Sequence, residues 1–260
     1  MFGWLRGILA ILVCLSLAAQ AQASRVSPMI VELEPTGTGS IARIDLVNDG
    51  LRDIPYEVQM MRGVITPEGQ LELNPADEEF LVFPAQAMIE SNSQQVFRIQ
   101  YVGEGALDRS ELYYMAIRQI PVAFEPGVTE VQMVVNYNVL VNVVPRGSAP
   151  EPVVVSARAA SRTVPGPQNQ AAPDEDATPI EQLGVEIELS NAGNRFFLAG
   201  LSRWSITGDV GEAPFSQSYK GDEASRIIGV GVVAPGATRK FFFPTDAGLD
   251  PASVRVTVAP

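Results

Sequence analysis

Between Thr129 and Val144 the chain reads TEVQMVVNYNVLVNVV, and its odd positions, Val131, Met133, Val135, Tyr137, Val139, Val141 and Val143, are all apolar. The even positions carry Glu130, Gln132, Asn136, Asn138 and Asn142, with Val134, Leu140 and Val144 among them. A period of two over this length dictates an extended strand rather than a helix. At ~3.3 Å per residue such a strand reaches about 45 Å, whereas a typical strand has about 5–6 residues. One small sheet does not cover an apolar face of that length, so the surplus faces a second domain, a cleft or a partner.

The start of the chain reads as an export signal. Arg6 is a lone charge, Gly7–Leu17 is an apolar run, and Ala21-Gln22-Ala23 is a small-x-small cleavage site. The apolar run is shorter than the ~20 residues a membrane-spanning helix needs. The single cysteine, Cys14, falls in the segment to be removed, so the exported chain has no disulfide and is held by burial alone. Taking 23 residues from 260 leaves a length suited to two domains. The net charge of −12 becomes one unit more negative without Arg6, and the only lysines are Lys220 and Lys240. Nucleic acid is therefore not an expected partner, because phosphate binding needs clustered cations.

Short apolar or alternating runs recur between Gly, Pro, Asn and Asp, the signature of an all-β chain. Strands are predicted at Met29–Leu33, Ile41–Val47, Tyr56–Val64, Phe80–Phe83, Gln94–Tyr101, Leu112–Ile120 and Val131–Val144. Turns fall at Pro35–Gly39, Asn48–Gly50, Pro67–Gly69 and Glu125–Gly127. Seven strands in this span match an immunoglobulin-like sandwich. Pro145 to Pro152 then breaks the ladder, because proline donates no hydrogen bond. The expected organisation is a signal peptide (1–23), a first domain (24–145), a hinge (146–152) and a second β-sandwich (153–260). In the second domain strands are predicted at Val153–Ala157, Gly184–Ser190, Phe196–Ser205, Arg226–Val233, Arg239–Phe243 and Ser253–Val258, with Ser161–Gln182 as a loop.

No histidine occurs anywhere in the chain. Ser–His and Cys–His nucleophiles and ordinary zinc sites are excluded on residue types. The acidic runs Asp77–Glu79 and Asp174–Asp176 lack calcium-loop spacing, and no phosphate loop or dinucleotide fingerprint is present. A carboxylate-pair hydrolase stays open on residue types alone. The expectation is a protein with no cofactor, no metal and no catalytic residues.

Several stretches resemble the PapD-like periplasmic pilus-assembly chaperones. Leu112–Pro121 (LYYMAIRQIP) is similar to that family's aromatic, Arg, Ile-Pro segment ahead of its long strand. Phe83-Pro84 through Gln95-Val96-Phe97-Arg98 resembles an earlier Pro…Gln-x-x-Arg pattern. Asn191-Ala192-Gly193-Asn194 and Pro235-Gly236-Ala237-Thr238-Arg239 look most like the archaic branch that assembles spore-coat-U-type pili. The resemblance implies two immunoglobulin-like domains and, in the periplasm, donor-strand complementation of pilus subunits that are then delivered to an outer-membrane usher. Donor-strand complementation is a recognised form of β-augmentation for which pilus chaperones are the type example. It also implies that Val131, Met133, Val135 and Tyr137 are the lent residues; the alternative is that all seven odd positions pack inside their own domain, which is the reading preferred for Val139–Val143.

The chain departs from the family at its usual subunit-carboxylate anchor. The expected basic positions fall on Met29, or a neighbour, and on Leu140. Arg118 is then the first candidate anchor, with Arg25 and Arg98 next, because a guanidinium can bind a carboxylate bidentately. The family's inter-domain ion pair is also displaced, since Ser110 and Val144 take the places of its acid and base. Free chaperone is expected to self-cap or dimerise transiently, since an open apolar edge invites aggregation. The competing class is a non-catalytic periplasmic or surface module that binds glycan or protein. It predicts clustered loop aromatics, for which only Phe215 and Tyr219 are candidates.

Overall fold

The computed structural model describes residues 24–121, 134–166 and 178–260. The expected signal peptide lies outside the described residues, as do Val131 and Met133. The first part of the chain forms ten strands: β1 (Arg25–Ser27), β2 (Ile30–Leu33), β3 (Ile41–Asn48), β4 (Ile54–Ile65), β5 (Leu71–Pro75), β6 (Phe80–Phe83), β7 (Gln86–Ile89), β8 (Ser93–Tyr101), β9 (Glu111–Gln119) and β10 (Asn136–Val143). The second part forms β11 (Pro152–Val164), β12 (Ile180–Asn191), β13 (Phe197–Leu198), β14 (Arg203–Val210), β15 (Ala213–Tyr219), one helix, α1 (Gly221–Ile228), β16 (Val232–Val233), β17 (Thr238–Pro244) and β18 (Arg255–Ala259).

Two sheets make the first sandwich, one in the order β1-β3-β8-β6 and the other in the order β2-β10-β9-β4-β5, with β7 also on β4. The chain changes sheet between β1, antiparallel to β3, and β2, parallel to β10. Alternate residues explain the core between them. Ile44, Leu46, Phe97 and Ile99 come from one sheet, and Met60, Met115, Ile117, Val139, Val141 and Val143 from the other, all fully buried. The second sandwich packs β11-β12-β17 against β15-β14-β18, with Trp204, Ile206, Val185, Ile187, Phe241 and Phe243 inside. The fold is all-β, two immunoglobulin-like sandwiches joined through a proline-rich hinge.

Side chains of the Asn-x-Gly-Asn turn hold the hinge. The Asn191 Nδ2 donates to the carbonyls of Arg195 and Val233, and its Oδ1 accepts from the amides of Glu151 and Gly193. Asn194 Oδ1 accepts from the amide of Ala149. A side chain at Gly193 would begin 2.4 Å from the Ala149 carbonyl oxygen, which accounts for the glycine.

Four expectations change. The Arg226–Val233 strand is instead the end of α1, whose start is closed by Glu223 accepting from the Lys220 amide, followed by the short β16. The Phe196–Ser205 strand divides into β13 and β14 around a 3-10 turn at Ala199–Leu201. Of the Ser161–Gln182 loop, the ends are strand, since β11 pairs with β12 as far as Val164 and Ile180. The long strand runs from Asn136 to Val143, so Val134 and Val135, expected within it, precede it outside the ladder, and β1, β5, β7 and β15 are additional.

Candidate functional site

The candidate site is the sheet edge at β10. On one side β10 pairs with β9 along its whole length, from Asn136 opposite Arg118 to Val143 opposite Glu111. On the other it pairs with β2 only from Leu140 to Val143. The Leu140 amide donates to the Met29 carbonyl and the Val144 amide to that of Leu33, so even-numbered amides point to the β2 side. Successive amides alternate in a strand, so those of Asn138 and Asn136 point the same way, past the end of β2. Among the described residues nothing pairs with them. A strand edge of this kind is a template for another chain.

Odd-numbered side chains of β10 face inward. Val139, Val141 and Val143 have no exposure, while Tyr137 is half-buried over the same core. Its hydroxyl donates to the Ser24 carbonyl, and Tyr56 donates to Ser24 Oγ at 3.0 Å, so the first described residue is tied beside the open edge. Burial pushes the Tyr137 hydroxyl up from its ordinary pKa. Val135 is half-buried, its amide donating to Gln119 Oε1, and Val134 is exposed. Val134 and Val135 are thus left only partly covered by the sandwich.

The three predicted anchors occupy different places. Arg118, on β9 beside this edge, is half-buried and donates to Gln59 Oε1 at 3.2 Å. Arg25 is exposed and paired with Asp49. Arg98 is exposed in the other sheet, directly across from Arg43. Met29 and Leu140 do meet at the end of the open edge, joined by the Leu140 amide, and neither is basic.

An apolar layer joins the sandwiches: Met61, Leu112, Tyr114, Ala116, Leu140 and Val144 pack against Phe196 and Val232. Ion pairs replace the expected one at other positions, Glu32 with Arg195 and Glu68 with Lys240 at 3.0 Å. Ser110, at the family's acid position, still reaches across, its Oγ accepting from the Phe196 amide at 2.8 Å. The Lys240 amide donates to the Pro67 carbonyl, seating the β4–β5 turn on β17. These contacts are tertiary and carry no motif, so sequence reading missed them.

The hydrogen bond from Lys240 holds the Glu68 carboxyl below its usual range. A depressed carboxyl stabilises the fold above its unfolded value and loses that contribution as pH falls through the folded one. Lys240, raised by Glu68, contributes below its own unfolded value and loses it at alkaline pH. Lowering pH from about 7 to about 3 is therefore expected to lower the protection factor of the Lys240 amide, its exchange rate being taken relative to an unstructured amide at the same pH. The variant Glu68→Gln should lack that pH step, and an identical step in it would remove the ion pair as the cause.

Two carboxylates do converge elsewhere. Glu79 and Glu111 both lie 2.5 Å from the Tyr113 hydroxyl and pair with Arg62 at 2.7 and 3.3 Å. Burial pulls Arg62 down, and hydrogen bonds to the two acids more than offset it. The two acids thus share one guanidinium and one hydroxyl in a structural cluster that staples β4, β9 and the turn before β6. Among the described residues no group of three or more Asp, Glu, His or Cys could hold a metal, and no helix is long and apolar enough to cross a membrane. Phe215 and Tyr219, the candidate recognition aromatics, pack on the second core instead.

The architecture and the edge define a class: two-domain β-sandwiches in which part of one strand, β10, has no neighbour on one side among the described residues. Residues 33–149 match the profile of the pili and flagellar-assembly chaperone PapD N-terminal domain, so the first sandwich belongs to the PapD-like chaperone family. Among solved structures the class 5 fimbriae chaperone CfaA aligns at 10% identity over 92% of this chain and 99% of that chain, with a TM-score of 0.51. A chain of a chaperone–tip adhesin complex of CFA/I fimbriae biogenesis aligns at 9% identity over 91% and 98%, with a TM-score of 0.50. A chain of the CsuC–CsuE chaperone–tip subunit complex from the archaic Csu pili of Acinetobacter baumannii aligns at 14% identity over 91% and 97%, with a TM-score of 0.49. At these identities the likeness is one of fold. No curated protein matches the chain.

Proposed function

We propose that this protein is a periplasmic chaperone that binds pilus-type subunits by lending them its β10 edge, then passes them to an outer-membrane usher. The observation that carries the reading is the pair of outward amides at Asn136 and Asn138, beyond the end of β2. A subunit strand added there continues the ladder, and the alternating residues upstream, Val131, Met133 and Val135, enter the subunit's groove with Tyr137 at the boundary. Each apolar side chain so buried contributes about 1.5–3 kcal/mol. No cofactor or nucleotide is needed, because subunit folding supplies the driving force. Without a client, the edge is capped by the chain itself or by a transient second copy.

The test is co-expression with a secreted β-rich subunit that lacks its last strand. A stable one-to-one complex is expected, and none with the same subunit fused to its own completing strand. Equal capture of the completed subunit would sink the reading. Arg118 serves as the proposed carboxylate anchor, sitting across from Asn136 on the adjacent strand. Arg118→Ala is expected to reduce recovered complex about tenfold, a loss of one charge-assisted bond. Undiminished recovery removes Arg118 from the mechanism.

A further inference from the structure

The two main sheets of the second sandwich end in four outer strands, β11 and β17 on one sheet and β15 and β18 on the other. Natural edge strands carry charges that oppose unwanted pairing. Three of these four do, with Arg158 and Arg162 on β11, Lys240 on β17 and Arg255 on β18. The β11 edge is also interrupted by a register shift between Val154 and Ser156, and β17 is met by the Pro67 carbonyl at its Lys240 amide. By contrast β15, Ala-Pro-Phe-Ser-Gln-Ser-Tyr, has no charged residue.

On its inner side β15 pairs with β14, from Trp204 opposite Tyr219 to Val210 opposite Ala213. The Asp209 amide donates to Ser253 Oγ at 2.8 Å, and its carbonyl accepts from the Asp250 amide. Both groups of Asp209 thus point away from β15, so Asp209 and Pro214 are not a hydrogen-bonded pair. Antiparallel pairs alternate, so neither Thr207–Ser216 nor Ser205–Ser218 is hydrogen-bonded. The amides of Ser216 and Ser218, and the carbonyls of Pro214, Ser216 and Ser218, are therefore directed outward. Nothing pairs with them among the described residues, and both serines are exposed. Pro214 withholds one donor near the end of the strand and leaves its centre open.

A second copy of the chain fits this edge by symmetry. Laid antiparallel about the strand's midpoint, Ser216, the two copies exchange amide and carbonyl at Ser216, and each Ser218 amide meets the other's Pro214 carbonyl. The same register sets Phe215 beside the partner's Gln217 and, just past the strand ends, Glu212 beside the partner's Lys220. Within one chain Glu212 and Lys220 stand at opposite ends of β15, ~25 Å apart at ~3.3 Å per residue. Both are exposed, and neither has an ion-pair partner among the described residues. The nearby acids of α1 are already engaged, Asp222 with Arg226 and Glu223 with the Lys220 amide. We propose that the protein self-associates through β15 as an isologous two-fold pair, joining two β15-β14-β18 sheets into one. A single strand pair between two chains of net charge −12 makes a weak, concentration-dependent contact. The β10 edge takes no part, and the proposal does not rest on the chaperone reading.

Sedimentation of the mature chain, residues 24–260, is followed from about 0.01 to about 0.5 mM at constant salt. The weight-average mass is expected to rise from monomer toward dimer. Ser216→Pro removes an outward amide, so it should stay monomeric with a Tm within about 3 °C of wild type. Glu212→Lys and Lys220→Glu should each weaken the dimer about tenfold, although they move the net charge in opposite directions. The double variant E212K/K220E should regain wild-type association, because the swapped charges meet again only across two copies. A wild type that stays monomeric, a dimer formed equally by Ser216→Pro, or a double variant no better than the singles overturns the proposal. A dimer lost in Asn138→Pro and kept in Ser216→Pro assigns the contact to β10 and overturns it as well. Should Ser216→Pro fail to fold, the charge-swap series decides alone. No subunit enters the measurement, so failure of the chaperone reading leaves its result standing.

Discussion

Trp204→Ala is expected to unfold the second sandwich at temperatures where the first remains folded. The indole is fully buried, packing at 5.7 Å against Phe241 and at 4.8 Å against Phe243, which in turn meets Tyr219. Its Nε1 donates to the Ala199 carbonyl at 2.7 Å, fixing the 3-10 turn that joins β13 to β14. Truncation removes the largest side chain of this core and leaves a cavity, a combination that costs about 3–5 kcal/mol. That is a large part of the ~5–15 kcal/mol by which domains are stable. The Ala199 carbonyl keeps the Ser202 amide as a partner, so cavity formation dominates over the lost hydrogen bond. The first sandwich has its own core, with Ile44, Met60, Phe97 and Val141 at its centre, and does not share Trp204. Denaturation followed by far-UV circular dichroism should therefore become biphasic. Trp204→Phe should recover part of the loss. A single transition displaced by less than about 1 kcal/mol would show that this core tolerates the deletion.

Features set by periodicity were legible in the sequence, and features set by tertiary pairing were not. The alternation from Val139 to Val143 correctly placed three valines inside, since one face of a buried strand has little choice. Phe80–Phe83 came out with its true bounds because apolar residues end against a proline. By contrast β5 reads Leu-Glu-Leu-Asn-Pro and is exposed on nearly every residue, so it gave no periodic signal. Ile227 and Ile228 looked like strand, yet they close the last turn of α1 before Gly229 and Gly231, both at positive φ. The Asn-x-Gly-Asn turn was visible as a motif, while its work of holding Ala149 and Glu151 of the hinge needed coordinates. The anchor candidates show the same divide. Nothing in residue type separates Arg118, beside the open edge, from Arg98 on the opposite sheet. Which base lies beside that edge depends on which strands pair.

Two proline substitutions one residue apart on β10 are expected to have opposite consequences, and this separates binding from folding. The Asn138 amide points away from β9 and has no partner among the described residues. Proline removes an amide hydrogen and is tolerated on a strand edge when that amide faces outward. Asn138→Pro should thus leave Tm within about 3 °C of wild type, because the β9–β10 ladder survives and the exposed asparagine contributes no packing. It should still cut recovery of a subunit complex by more than about tenfold, since the lost donor and the rigid ring both obstruct an added strand. The Val139 amide, by alternation, faces Met115 on β9, and its side chain is fully buried. Val139→Pro should destabilise the first sandwich by about 3 kcal/mol or more, through a lost ladder bond and a disrupted core. Subunit recovery and Tm are measured for both variants beside wild type. If Asn138→Pro captures subunit as well as wild type while remaining folded, the added strand does not dock on this edge. If the two variants lose stability equally, the edge is already occupied within the free protein.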